Sequence, residues 1–106
     1  MNIEYTEVTM KIVSRLDNFK NKISKDMVIG DKKIIDGIDF IKSMVISINP
    51  IIIDDSVIDE VDLRIQNEFK NGMCINKYIL YGIEMSKYIV SSYVQKRPLV
   101  RIKSIK

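Results

Sequence analysis

Residues 75–95 are apolar around most of a helical circumference, and this bounds what the chain can fold into. One face of that helix reads Ile75, Ile79, Ile83, Val90, Tyr93 and Val94, and a second reads Tyr78, Tyr81, Met85 and Tyr88. Between them, Lys77, Glu84, Lys87, Ser91 and Gln95 leave only a narrow polar stripe. A surface helix needs an apolar arc of roughly 100° or a little more, so a wider arc predicts contact on several sides. The expectation is a helix at the centre of a helical domain or of an oligomer, with Tyr78 to Val94 enclosed by protein.

A chain of 106 residues, 46% hydrophobic and 29% charged, has the make-up of one globular domain and not of a disordered segment. A single domain over 1–106 is therefore expected, with 95–106 as a basic tail. Alanine, histidine and tryptophan are absent and isoleucine is abundant. That bias reads as AT-rich coding, as in a low-GC bacterium, an archaeon, or a virus or mobile element of one. Cys74 is the sole cysteine, which rules out an intrachain disulfide and makes a reducing, cytoplasmic setting the expectation. The N-terminal residues lack the basic-then-apolar layout of a signal peptide. No run of about 18 apolar residues is present, so no membrane contact is expected.

The remaining helices follow from apolar spacing. Tyr5, Val8, Ile12, Leu16, Phe19 and Ile23 step by three and four and predict a helix over 5–25. Thr6 followed by Thr9 makes no clean capping box, and Val8, Met10 and Ile12 also alternate as in a short strand. The length of the helical pattern decides for helix. Residues 26–33 contain the turn signal Gly30-Asp31, read as a loop with Asp31 capping the next helix, the alternative being a small hairpin. Ile34, Ile38, Ile41, Val45 and Ile48 predict a second helix over 32–47, ended by Asn49-Pro50. Ile51, Ile52 and Ile53 form an extended connector, buried on the strength of its composition. Asp55 or Ser56 is expected to cap a third helix over 57–71, with Ile58, Val61, Ile65 and Phe69 inward and Asn71-Gly72 as its stop. Pro98 ends the fourth helix, and residues 99–106 are either a short edge strand or disordered. The fold class expected is all-α, about four helices in two helical hairpins around the last helix, with a short extended tail.

The two halves resemble each other. Arg15-Leu16-Asp17-Asn18 and Phe19-Lys20-Asn21 answer Arg64-Ile65-Gln66-Asn67 and Phe69-Lys70-Asn71, and Ile34 to Asp39 answers Ile79 to Glu84. The offset falls from 49 and 50 to 45 between the two matches. A duplicated hairpin would place Gly37 and Gly82 at equivalent points, where a glycine permits close approach of a neighbouring helix.

Little in the chain suggests catalysis, and no enzyme activity or cofactor is expected. Without histidine the commonest general base and metal ligand is missing. Cys74 has no histidine to activate it and reads as a small apolar filler. The acids Asp54, Asp55, Asp59, Glu60 and Asp62 lack the spacing of a calcium loop and read as a solvated helix start favoured by the helix dipole. No metal site is expected. The tyrosines Tyr78, Tyr81, Tyr88 and Tyr93 read as core before they read as stacking platforms for single-stranded nucleic acid, with Tyr81 and Tyr88 nearest the polar stripe.

The segment Pro50 to Val94, with its short extended run, acidic helix, Asn71-Gly72 and Ile75 to Ile83, resembles the ribbon-helix-helix DNA-binding fold over less than half of the chain. That family reads the major groove with polar and basic side chains on its strand. Here the strand position holds Ile51-Ile52-Ile53, so no binding residue carries over.

Two functions are compatible with these features. The acid-free basic end and a pI near 9.0 fit a small nucleic-acid-binding regulator or accessory subunit, with Lys96, Arg97, Arg101 and Lys103 on phosphates. The apolar last helix fits an oligomeric interaction module, an adaptor or inhibitor, with Tyr81, Met85 and Tyr88 at an interface with a protein partner or, as a homodimer, with a second copy.

Overall fold

The computed structural model describes residues 4–25, 31–73 and 76–94. Within them the protein is all-α: α1 (Glu7–Lys25), α2 (Asp31–Ile48), α3 (Asp55–Lys70) and α4 (Lys77–Ser91). The centre is the α2–α4 pair, which packs more extensively than any other; α1 lies along α2 and also touches α4, and α3 leans on α2. The core joins Ile12 and Leu16 of α1, Ile38, Ile41 and Val45 of α2, Val61 of α3, and Ile83 and Val90 of α4, with Ile53 from the connector.

Four of the helix ends have a visible cause among the described residues, and so does the close of α2. The Thr6 hydroxyl caps α1 by accepting from the Thr9 amide at 3.1 Å. Asp54 caps α3 by accepting from the Val57 amide at 3.1 Å, one and two positions ahead of the residues expected to do so. The Asn76 side chain accepts from the Tyr78 and Ile79 amides and caps α4. After Asn71, Gly72 takes φ +102, and the amides of Gly72 and Met73 donate to the carbonyls of Phe69 and Glu68. This is the two-bond closure that a glycine just past a helix end permits. At the end of α2, Asn49 turns the chain with φ 47. Its side chain accepts from the Thr6 amide at 2.9 Å and donates to the Glu4 carbonyl at 3.1 Å, tying the start of α1 to the end of α2. The Thr6 hydroxyl completes the tie on the Pro50 carbonyl.

The connector departs from its expected burial. Ile51 is 83% exposed and Ile52 45%, while Ile53 is fully buried and forms a parallel bridge with Val94. The left-handed turn at Asn49 and the buried Pro50 set the direction of the chain, and only the third isoleucine reaches the core. That isolated bridge, the one among the described residues, is also unlike the two-stranded ribbon of the ribbon-helix-helix fold. Tyr5 precedes α1 and is exposed. The fourth helix ends at Ser91, where the amides of Ser92, Tyr93 and Val94 reach back to helix carbonyls in tighter turns. The alternative of a small hairpin at 28–35 is overturned, because Ile34 and Ile35 lie in α2; the side chain of Asp31, the strand at 99–105 and Cys74 lie outside what is described.

The repeat seen in the sequence is present in the packing. With 45 added to each number, the buried set Ile34, Gly37, Ile38, Ile41, Met44 and Val45 becomes Ile79, Gly82, Ile83, Ser86, Ile89 and Val90, every one buried. The exposed positions Lys32, Lys33, Asp36, Ser43 and Ser47 become Lys77, Tyr78, Tyr81, Tyr88 and Ser92, all exposed. The contact between the two helices is reciprocal. A Cβ on Gly37 would lie 2.4 Å from the Ile79 carbonyl oxygen, and one on Gly82 would lie 2.2 Å from that of Ile34. The equivalent lysines pair in the same way, Lys42 with Asp17 at 2.8 Å and Lys87 with Asp62 at 2.6 Å. Ile12 and Leu16 match the buried Val61 and Ile65 at the larger offset. Ser86 stands where α2 has Ile41, one turn from Gly82, so a small residue continues the narrow face that admits the α2 backbone.

Replacing either glycine by alanine tests the crossing. Alanine favours a helix by about 1 kcal/mol over glycine, yet here its methyl meets backbone that cannot rotate away. Gly37→Ala and Gly82→Ala should each destabilise the fold by about 1–3 kcal/mol net, as overpacking does. Thermal unfolding of the two variants, with similar losses at the two positions, is the check.

Candidate interaction surface

Three of the five acids at the start of α3 are tied up locally, while Asp55 and Asp59 are exposed. Asp54 caps α3 and also accepts from the Ser56 hydroxyl at 2.6 Å; Glu60 pairs with Arg64 at 2.7 Å; Asp62 pairs with Lys87. Among the described residues no group of three His, Cys, Asp or Glu side chains is placed to hold a metal ion. The hydrogen bond from Ser56, then the amide of Val57, hold the Asp54 carboxyl below its ordinary range.

Concave sites are shallow. One depression runs along α1 between Met10, Arg15 and Tyr93, and a neighbouring one is edged by Val8, Ile51 and Tyr93. The first is edged by Glu7, Lys11, Ser14, Arg15 and Asn18, all strung along one face of α1, and the second by Glu7 and Lys11 beside Ile51, Ile52 and Ile53, so both are open depressions and not the enclosed, mostly apolar cleft typical of a small-molecule site. Among the described residues no helix is long and apolar enough to cross a membrane.

The surface that stands out is the outer side of α4. Tyr78, Tyr81, Met85 and Tyr88 succeed one another by three, four and three, which keeps them on one stripe. Tyr78 is 36% exposed, Tyr81 50% and Tyr88 72%, and Met85 is half-buried. The ammonium of Lys77 lies 5.3 Å from the centre of the Tyr78 ring, close enough for cation–π attraction. Behind the stripe, Ile79, Gly82, Ile83, Ser86, Ile89 and Val90 face the core.

The helix is therefore enclosed on one side and open on the other, a correction to the expectation of protein on nearly every side. Its three tyrosines, Tyr78, Tyr81 and Tyr88, are exposed, and of the four expected on the helix only Tyr93, two residues past its end, packs against the core cluster, half-buried. The wide apolar arc was right as a description of the residues. It overstated the enclosure because four helices of this length cover one side of α4 with α2 and part of α1, while α3 stays nearer α2. The expected interface residues Tyr81, Met85 and Tyr88 do lie together, and Tyr78 extends their line by one turn. The three-four-three spacing was the signal that joined it to them. Lys96, Arg97, Arg101 and Lys103 lie outside the described residues.

Comparison with protein-family models, with curated proteins and with solved structures finds no match to this chain. What the fold and surface define is an all-α domain of four helices with one outward aromatic helix face.

The Asp54 cap gives a pH test. A carboxyl whose titration is lower in the folded chain than in the unfolded one stabilises the fold above its unfolded value, near 3.8, and loses that contribution as the pH falls through the folded one. Wild type should exceed Asp54→Ala in urea midpoint at pH 7. The gap should narrow steadily as the pH is lowered below 3.8, with Asp54→Asn, a neutral cap, showing no such change.

Proposed function

We propose that this protein is a helical interaction module that docks onto a protein surface through the outer face of α4. The observation that carries this reading is the contrast between the two halves. At the positions of α2 equivalent to Tyr78, Tyr81, Met85 and Tyr88 stand Lys33, Asp36, Phe40 and Ser43. The same packing is thus made in α2 with a mostly polar stripe, so the fold does not call for aromatics there. A row of three exposed tyrosines and a methionine on a 106-residue chain is then a surface kept apolar for contact. Tyrosine suits that task, with a large rigid contact area and a hydroxyl that tolerates water when the face is open.

The test separates contact from folding. Tyr81→Ser combined with Tyr88→Ser should leave the free energy of unfolding within about 1 kcal/mol of wild type, as changes to exposed side chains do. A large loss of stability would make the tyrosines part of the fold and end the reading.

Contact with nucleic acid through Lys96, Arg97, Arg101 and Lys103 is the second reading. Its support is the charge distribution: acids slightly outnumber lysine and arginine over the described residues, so the net charge of +3 resides in the C-terminal end. Such contacts would go to phosphates and weaken steeply with salt. Titration of labelled duplex and single-stranded DNA at 50 and 200 mM salt should then show binding that salt removes and that Arg97→Gln with Arg101→Gln reduces; salt-insensitive or absent binding would exclude it.

A further inference from the structure

Resting on the docking reading above, we infer that the partner on the α4 face is a second copy of this chain, lying antiparallel to it. The argument begins with the spacing. Three-four-three reads the same in both directions, so a stripe at 78, 81, 85 and 88 meets its own reverse in register. Such three-four alternation is also the period at which two helices interleave side chains along a seam. Turned end over end about a two-fold axis, the stripe puts Tyr78 opposite Tyr88 of the partner subunit. It puts Tyr81 opposite Met85 of the partner subunit.

The chemistry of those pairs favours that direction. Sulfur at the edge of an aromatic ring is a favourable contact, and the antiparallel arrangement makes it twice. A parallel arrangement would put Met85 on Met85 and the bulky rings on one another. Antiparallel helices also set their dipoles head to tail. The two-fold contact is isologous, so the one exposed face serves both copies and the assembly closes at two.

Area and charge set how firm the pair is. At about 200 Å² for a tyrosine, the exposed fractions of 36, 50 and 72% leave only about 300 Å² of ring surface on each copy. A stable pair of standard size covers about 800 Å² on each side. The stripe alone therefore supports a reversible, concentration-dependent dimer and not an obligate one. Glu84 flanks the stripe in the direction of Lys77 and Ser91, exposed and with no ion pair among the described residues. Antiparallel pairing brings it near Glu84 of the partner subunit at the centre of the interface. That repulsion weakens the pair, so removing the charge should strengthen it.

Sedimentation and light scattering on the whole chain decide the matter. The wild-type mass should rise from 12.3 kDa toward twice that value as concentration increases. Tyr81→Ser with Tyr88→Ser should remain monomeric over the same range, and Glu84→Gln should dimerise at several-fold lower concentration. Direction is read by cross-linking in a Cys74→Ser background. An equal mixture of Tyr81→Cys and Met85→Cys chains should form a disulfide-linked dimer under mild oxidation, and either alone should do so poorly. Efficient linkage of Tyr81→Cys to itself would overturn the antiparallel arrangement. A wild-type chain that stays monomeric up to millimolar concentration would overturn the second copy as occupant. If the tyrosine variant nonetheless keeps its thermal stability, that failure belongs to the occupant and not to the docking reading, which falls only when the variant unfolds early.

Discussion

The structure depends on one place where two helices touch without side chains between them. Gly37 and Gly82 let the backbones of α2 and α4 meet, each glycine facing a carbonyl of the other helix. Contact of that closeness brings Ile34, Ile38, Ile79 and Ile83 to the same centre, all of them nearly or fully buried. Around it, Ile41, Val45 and Val90 close the rest, and α1 and α3 add Ile12, Leu16, Val61 and Ile65 from outside. Glycine is a poor helix residue because it surrenders the most conformational freedom on folding. Its use twice, at matching points, makes sense only because the crossing repays that entropy in packing.

The same crossing explains why the halves are alike in the middle and unlike at the edges. Positions that face the shared centre are held to one pattern in both α2 and α4. Positions that face away are released, and there the halves differ, charged and hydroxyl-bearing in α2, aromatic in α4. The outer helices differ as well: the acid that meets the equivalent lysine is Asp17 in α1 and Asp62 in α3, at an offset one turn shorter than that of the core residues. A salt bridge on long side chains tolerates such a shift, whereas the core does not.

Much of this was legible in the sequence because it is periodic. Ile12, Leu16, Ile38, Ile41, Ile79 and Ile83 announce their helices by spacing alone, and Asn71-Gly72 announces a stop by backbone chemistry. The pairing of Gly37 with Gly82 could be suspected from the repeat. What periodicity does not carry is how much of an apolar arc the remaining chain can cover. Ile51 looks like core by its composition, and it is exposed because the left-handed turn at Asn49 is a tertiary fact, whereas the exposure of Tyr81 and Tyr88 agrees with their place beside the polar stripe. The cap of α3 fell on Asp54 because burial of Ile53 fixes where the extended chain must end. The acids and the aromatic stripe were visible as residues; that Asp54, Glu60 and Asp62 are spent on a cap and ion pairs, and the stripe left open, required the packing.

Asn49 has a bearing on the order in which the chain assembles. Its amide joins residues 43 apart, and the groups it satisfies belong to the segment just before α1. Those groups have no helical partner until α2 has ended and turned. The first helix can thus form early on its own Thr6 cap, but the segment ahead of it is pinned only when the middle of the chain is in place. Residues 4–6 would therefore stay unpinned until the middle of the chain had folded back upon them.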